Sequence, residues 1–448
     1  MATTRSTARL DYRVVALASL PFMGMISFWQ VYDGIVPKIL TNTFGLDNSV
    51  TGAIMALDNL FGLFLLPFFG VLSDRCASRL GRRTPFILLG SALAVVAVPL
   101  IAFADKAESL PLLIAMILLT LFAICMYRTM TLAVVADITP RPLRSKADSI
   151  QKIVGYAGTG IMLVAIAVMV PSGTHPDYVP LFLMQAALIA LGTLVFAWKV
   201  REPALVEKMH EQSLEFGIDE DDIERDDSPE AGGTRRITDR SKLWSIVMIL
   251  GATFFYYMSY NAMTTNVSRY ADAFFGMDGG SFAIINMTVI LGALFTYVPM
   301  ANLSLKVGRK KTGLIAGAIM VVCPLIVWLT PGFSPALYGV FLLMGVGLGA
   351  FDLCVYPMLL ELCDSGSVGR YSGYYYTVSM AAQMVTPILS GVVMDVAPAV
   401  LFGYITLMSA LMTGSLALAR HGDGVLLGDL ADKPDKGDLL EEATAASA

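Results

Sequence analysis

The chain has 448 residues, of which 56% are apolar and only 15% are Asp, Glu, Lys or Arg, and its net charge is −5; its mean hydropathy is +0.67. Soluble proteins average roughly 25% charged residues, so too little charge is present to coat a soluble particle. A soluble globule, a disordered chain and a nucleic-acid binder are disfavoured, which leaves a polytopic membrane protein.

Runs of about 20 apolar residues suffice for one bilayer crossing each, and lipid forces them to be helical because it offers the backbone no hydrogen-bond partner. Twelve such spans are predicted, at 14–37, 48–72, 85–104, 110–136, 149–170, 178–199, 243–267, 280–303, 313–330, 335–361, 372–395 and 398–419. The first run, after Arg13, is too long for a signal peptide and lacks a small-residue cleavage site, so it is expected to stay as a membrane helix. Of the 31 Lys and Arg residues, 26 fall in the termini and alternate loops on one side; only Lys38, Lys106 and Arg269 fall in the opposite loops, and Arg128 and Lys152 lie within spans. Positive charge marks the cytoplasmic face, so both termini are expected inside, in a multi-pass cell (inner) membrane protein.

The spans divide six and six. An N-terminal bundle is expected over 1–200, a cytoplasmic linker over 201–242, a C-terminal bundle over 243–420 and a disordered tail over 421–448. The linker holds 13 acidic and 7 basic residues, including the cluster DEDDIERDD at 219–227. It reads as a solvated tether with a short surface helix near 203–216. Five cysteines, Cys76, Cys125, Cys323, Cys354 and Cys363, sit in or beside apolar runs without zinc or disulfide spacing. The three histidines, His175, His210 and His421, lie in loops away from any candidate nucleophile, so neither an enzyme nor a bound cofactor is expected.

The halves echo each other. Span 2 ends in PFFGVLSDRCASRLGRR (67–83) and span 8 in PMANLSLKVGRKK (299–311), each a Pro, small residues, a Gly and then basic residues. Asp137 follows Arg128 by nine residues, and Glu361 follows Asp352 by nine. Nine residues at about 1.5 Å each place Arg128 and Asp352 roughly 13 Å above the inner face, near mid-membrane. Two six-helix repeats related by an axis along the membrane normal are a transporter architecture.

Charges at mid-membrane cost about 2.5–3.5 kcal/mol on insertion scales and mark functional positions. Four stand out: Asp33, Asp58, Arg128 and Asp352. Reversible protonation of Asp58, altering its pairing with Arg128, is a workable coupling device; a permanent structural pair is the alternative. Arg128 does not lose its proton, and its planar fork suits carboxylates or paired hydroxyls. Asp352 is its alternative partner from the other half. Trp29 and Asp33 share a helix face at i, i+4, an aromatic plate beside an acid that suits a sugar ring and its hydroxyls; Gln30 lies nearby. Tyr127 neighbours Arg128. Tyr256, Tyr257, Tyr260 and Asn261 in span 7, Asn286 in span 8, and Tyr375 and Gln383 in span 11 supply uncharged donors and acceptors for a neutral polyhydroxylated ligand. Glue between helices is the competing role for each. Glycines 155, 158 and 160, and 345, 347 and 349, permit close helix approach.

The run GVLSDRCASRLGRRTPF (70–86) resembles the loop between helices two and three of the major facilitator superfamily, in the form found in the branch of plant sucrose transporters and bacterial glycoside–cation symporters. YRTMTLAVVADITPRPLRSKADSI (127–150) and YPMLLELCDSGSVGRYSGYYYTVSMAAQMVTPILSGVVMD (356–395) are similar to bacterial members of that branch. The resemblance implies an all-α fold of twelve transmembrane helices in two six-helix bundles. Two positions depart from it. The paired helix-two aspartates of the melibiose-permease subgroup correspond here to Gly62 and Leu66, which cannot ligate sodium. The helix-four arginine of plant sucrose transporters corresponds to Leu132, with Arg128 one turn away.

The resemblance also implies an inner-face gate of Asp74, Arg75, Arg79, Gly81, Arg82, Arg83, Asp137, Arg144, Glu361 and Arg370. In it Asp74 meets the start of span 11, and Arg82 or Arg83 bridges to Asp137. The expected function is proton-coupled symport of a di- or oligosaccharide or other glycoside by a monomer, through alternating access. A proton-driven exporter and a non-transporting sugar sensor are the rivals.

Overall fold

A computed structural model of the chain describes residues 10–140, 143–173, 175–215, 240–362 and 368–422. The regular elements among these residues are helical: α1 Tyr12–Ala18, α2 Leu20–Lys38, α3 Asn48–Met55, α4 Leu57–Asp74, α5 Thr84–Lys106, α6 Leu110–Asp137, α7 Arg144–Met169, α8 Val179–Lys199, α9 Glu202–Glu215, α10 Arg240–Ala273, α11 Phe282–Val307, α12 Arg309–Leu329, α13 Leu337–Leu360, α14 Val368–Val396 and α15 Leu401–Leu418, with short π and 3₁₀ pieces at Ile39–Thr43 and Pro398–Val400. Ten helices are long and apolar enough to cross a bilayer, and the bent pair Tyr12–Ala18 and Leu20–Thr43 makes up to eleven. The expected span 280–303 corresponds to α11, whose apolar part, Phe282–Thr296, is shorter. The chain is a multi-pass membrane protein, all-helical among the described residues. The predicted tail beyond Gly422 and the acidic cluster at 219–227 lie outside the described residues.

Span 1 is expected as one helix but bends by 47° between α1 and α2. Pro21 in the first turn of α2 has no N–H to give the Leu17 carbonyl, and the Val15 carbonyl accepts both the N–H and the hydroxyl of Ser19, at 3.0 and 2.7 Å. Prolines open α5, α6 and α8 in the same way, where a missing N–H costs nothing.

Two compact units form, Met1–Leu46 with Leu57–Ala231 and Asp278–Ala283, and Asp47–Ala56 with Gly232–Met277 and Ile284–Ala448. In the first, α5 packs on α6 and α8, and α2 on α7 and α8. In the second, α12 packs on α13 and α15, and α10 on α14 and α15. These are equivalent pairings at a spacing of six spans, so the echo in the sequence is a repeat of packing. Large apolar side chains face outward, among them Phe64 at 66% exposure, Phe295 at 72%, Trp198 at 76% and Val168 at 78%. A soluble protein would not expose so many; lipid accepts them.

The predicted surface helix of the linker forms as α9, but it is not freely solvated. Leu205 and Val206 pack on the apolar cluster of Val15, Ile138 and Phe196, and Glu202, Met209 and Ser213 are buried.

Candidate functional site

In the first unit the membrane charges gather around α2, α4 and α6. The helix of span 2 is interrupted at Ala56, and Asp58 lies in the first turn of α4. Its Oδ1 accepts from the Asn59 backbone N–H at 2.5 Å and from the Asn59 side-chain amide at 2.6 Å. Asp58 lies within electrostatic reach of Asp33, Tyr32 and Arg128. The Arg128 guanidinium lies over the Trp29 ring, 5.4 Å from its centroid, a cation–π contact. Trp29 is held edge-on by Phe28 and Tyr32, at centroid distances of 5.4 and 5.7 Å. Trp29, Gln30, Asp33, Asp58 and Arg128 are all half-buried. The structure therefore brings together Trp29, Asp33, Asp58 and Arg128, two acids and one base against an aromatic plate. Tyr127 is turned elsewhere: it is fully buried and its side chain packs against Gly90 of α5.

The second unit assembles an aromatic counterpart. Asp352 on α13 lies within electrostatic reach of Tyr257 on α10 and Tyr375 on α14. Those two tyrosines hydrogen-bond, with ring centroids 6.4 Å apart. Tyr356 packs on Tyr375 at 4.9 Å and its hydroxyl meets Ser372 at 2.9 Å. Tyr256 is buried and stacks on Phe351 at 5.1 Å, so it is structural. Asn261 has a buried side-chain oxygen with no partner among the described residues. Asn286 and Gln383 are half-buried, and Gln383 donates to the Ser379 carbonyl at 3.3 Å.

At the arginine-rich end of the first unit, Arg83 is the hub. Its Nε bonds Asp137 at 2.9 Å and its Nη1 pairs with Asp74 at 2.6 Å and with Ser73. Half-burial would lower the Arg83 pKa, but Asp137 and Asp74 more than offset this and hold it above the ordinary arginine value. Of the two arginines expected to bridge to Asp137, Arg83 does so. Arg144 caps the Thr139 carbonyl at 3.2 Å. Arg75, Arg82 and Arg144 line a cavity of about 660 Å³ with Asp74, Glu202 and His210, and Arg79 is exposed. The second unit repeats the motif: Arg309, directly after Gly308, pairs with Glu361. The Arg370 side chain is not among those described.

Glu202 is the residue that sequence reasoning missed. Only 3% exposed, its carboxylate accepts the backbone N–H of Arg82 at 2.7 Å, of Arg83 at 3.0 Å and of Thr84 at 2.8 Å, and the Thr84 hydroxyl at 2.7 Å. These orphan donors open α5, which carries no cap of its own. Gly81 is required for two reasons: its φ is +111°, and a Cβ there would collide with the Glu202 carboxyl. The signal was an acid opening the linker directly after span 6, read there as solvated charge. Glu202→Gln is expected to lower stability by about 1–3 kcal/mol, the cost of disabling a buried acceptor. Thermal unfolding in detergent checks this against Glu207→Gln, an exposed neighbour expected to change little.

The sequence profile of the Major Facilitator Superfamily matches residues 18–277 and 248–425. The chain belongs to that superfamily. The xylose transporter XylE from E. coli, in its inward open conformation, superposes with a TM-score of 0.64 at 12% identity, covering 97% of this chain and 99% of that one. A peptide transporter POT in complex with sulfate gives 0.62 at 15% identity, covering 91% and 92%. Identities this low establish the superfamily fold alone. Closer sequence likeness is local. The sucrose transport protein SUC3 of Arabidopsis thaliana is 41% identical over 61 residues, 14% of this chain and 10% of that protein. The sucrose transport protein SUT4 of Oryza sativa subsp. indica is 33% identical over 91 residues, 20% and 15%. The matched stretches thus span between a tenth and a sixth of these superfamily relatives.

Proposed function

We propose that this superfamily member is a proton-coupled symporter of a sugar or glycoside, a di- or oligosaccharide by preference, working by alternating access in the cell (inner) membrane with both termini cytoplasmic. The observation that carries the reading is the grouping of Trp29, Arg128, Asp58 and Asp33. An indole face packs on the C–H face of a pyranose, a guanidinium fork donates to adjacent hydroxyls, and a carboxylate within reach of that guanidinium ties the protonation state to the ligand contact. Arg128 already lies over Trp29, so ligand and proton act on one unit of side chains. In the second unit Tyr257, Asn261, Asn286, Asp352 and Gln383 supply uncharged and acidic partners for further hydroxyls. The local likeness to proteins named sucrose transport proteins favours the same ligand class. Arg83, Asp74 and Asp137, with Arg309 and Glu361 in the other unit, act as the gate at the arginine-rich end.

The test is uptake by proteoliposomes of a panel of labelled sugars, with and without an imposed proton gradient. Accumulation of at least one glycoside above its outside concentration, only when the outside is acidic, is expected. Binding without counterflow would instead make the protein a sensor. Accumulation by everted but not right-side-out vesicles would make it an exporter. Trp29→Ala is expected to weaken the apparent sugar affinity by about tenfold, the scale of losing a ring-stacking contact. An unchanged KM would remove the indole from the ligand site.

A further inference from the structure

At the end opposite the arginine-rich loops, two buried cations do equivalent jobs. Lys38, at the end of α2, is 2% exposed. Its ammonium donates to the Gly279 carbonyl at 3.0 Å and lies over the Phe282 ring, 4.9 Å from the centroid. Both partners belong to 278–283, the short stretch opening span 8 that packs with the first unit while the rest of α11 belongs to the second. The stretch is seated against α7: the Gly280 N–H bonds the Val170 carbonyl at 3.2 Å, and a Cβ at Gly280 would collide with the Ile166 carbonyl.

Arg269, near the end of α10, is 5% exposed. It donates to the Asn48 side-chain oxygen at 2.8 Å and to Asn266. Asp395, within electrostatic reach of Arg269, caps α3 by accepting the N–H groups of Asn48 at 2.7 Å and Ser49 at 2.9 Å. Here α3, the opening of span 2, packs with the second unit while α4 belongs to the first. It is seated against α14, where a Cβ at Gly52 would collide with the Pro387 carbonyl.

The two docks are equivalent in the repeat. The opening of span 8 sits on spans 1 and 5, and that of span 2 on spans 7 and 11. In each, a buried cation from the end of the unit's first span holds the visiting stretch. Positive charge is rare at this end, where Lys106 at the end of α5 is the other basic residue, so the positive-inside rule explains neither cation. A buried cation is costly unless hydrogen-bonded; Lys38 donates to Gly279 of one visiting stretch, and Arg269 divides its donors between Asn48 of the other and Asn266 of its own helix.

We infer that Lys38 and Arg269, the latter with Asp395, are matched catches that hold span openings 278–283 and 47–56 docked, and that both must release in one concerted step for ligand to pass at this end. The inference rests on the transport reading for its purpose, but not for its measurement.

Thiol labelling tests it directly. Thr51→Cys and Ala283→Cys replace residues buried in the second and the first dock. Each is introduced into the full-length protein in liposomes, and its rate with a membrane-impermeant maleimide is followed from this side. Both are expected to label slowly. Lys38→Met is expected to speed labelling at both reporters by about tenfold or more, the scale of losing a charged hydrogen bond. Arg269→Met is expected to do the same. Lys38→Arg and Asp395→Asn, milder changes that guard against misfolding, should give smaller rises, again at both sites. Acceleration confined to the mutated dock, or none at either reporter, would overturn the concerted catch. No substrate is needed, so failure to move any sugar would sink the transport reading alone, while sugar uptake with unchanged labelling would sink the catches alone.

Discussion

Replacing Arg128 with alanine is expected to cut initial sugar uptake on the order of 100-fold while the protein still inserts and purifies as a single species. The magnitude follows from what the side chain holds. Its guanidinium lies over Trp29 and within electrostatic reach of Asp58. Removing one charge from a buried charged group costs on the order of 2–5 kcal/mol, much of it from the opposite charge left uncompensated. Alanine removes the cation, the donors to ligand hydroxyls and the cover on the indole together. Arg128→Lys is the informative companion: it keeps the charge and loses the planar fork, so intermediate uptake with a raised KM would assign the fork to ligand binding. Normal uptake by Arg128→Ala would make the arginine structural.

Asp58→Asn is expected to abolish uphill accumulation, bringing the inside-to-outside sugar ratio to about 1 under a proton gradient, while equilibrium exchange stays within roughly threefold of the parent. An amide has nearly the shape of a protonated carboxyl and cannot release a proton, so the carrier would cycle with ligand and ignore the gradient. Asp33, which shares the electrostatic environment of Asp58, is the control. If Asp33→Asn uncouples and Asp58→Asn does not, the coupling role moves one helix over. Retained uphill transport in both single variants and in the double would remove these carboxylates from coupling altogether.

Much of the fold was legible in the chain because bilayer physics is severe: apolar length forces helices and basic loops alternate with non-basic ones. Gly81 and Gly308, each followed by basic residues, marked the repeated turn, and the nine-residue spacings to Asp137 and Glu361 marked repeated depth. The linker was harder. Glu202 and Glu207 are both acids in a charged stretch, yet one is buried under four hydrogen bonds and the other is exposed. No local pattern separates them, because the donors that make the difference lie 118 to 120 residues away.

By itself the sequence determined the class of molecule, the rough limits of most of its spans, the echo between its halves and the acids and arginine (Asp33, Asp58, Arg128, Asp352) set within apolar runs, since each follows from composition and spacing along one helix; Lys38 and Arg269, read there as loop residues, are buried at helix ends. The tertiary structure decided which of those side chains meet: Arg128 with Trp29, Arg83 with both Asp74 and Asp137, Lys38 with the opening of span 8, Arg269 with the opening of span 2. Helical periodicity tells which face of its own helix a residue occupies. Which neighbour that face meets depends on how helices far apart in the chain pack, and hydrogen bonds between them are set by that packing.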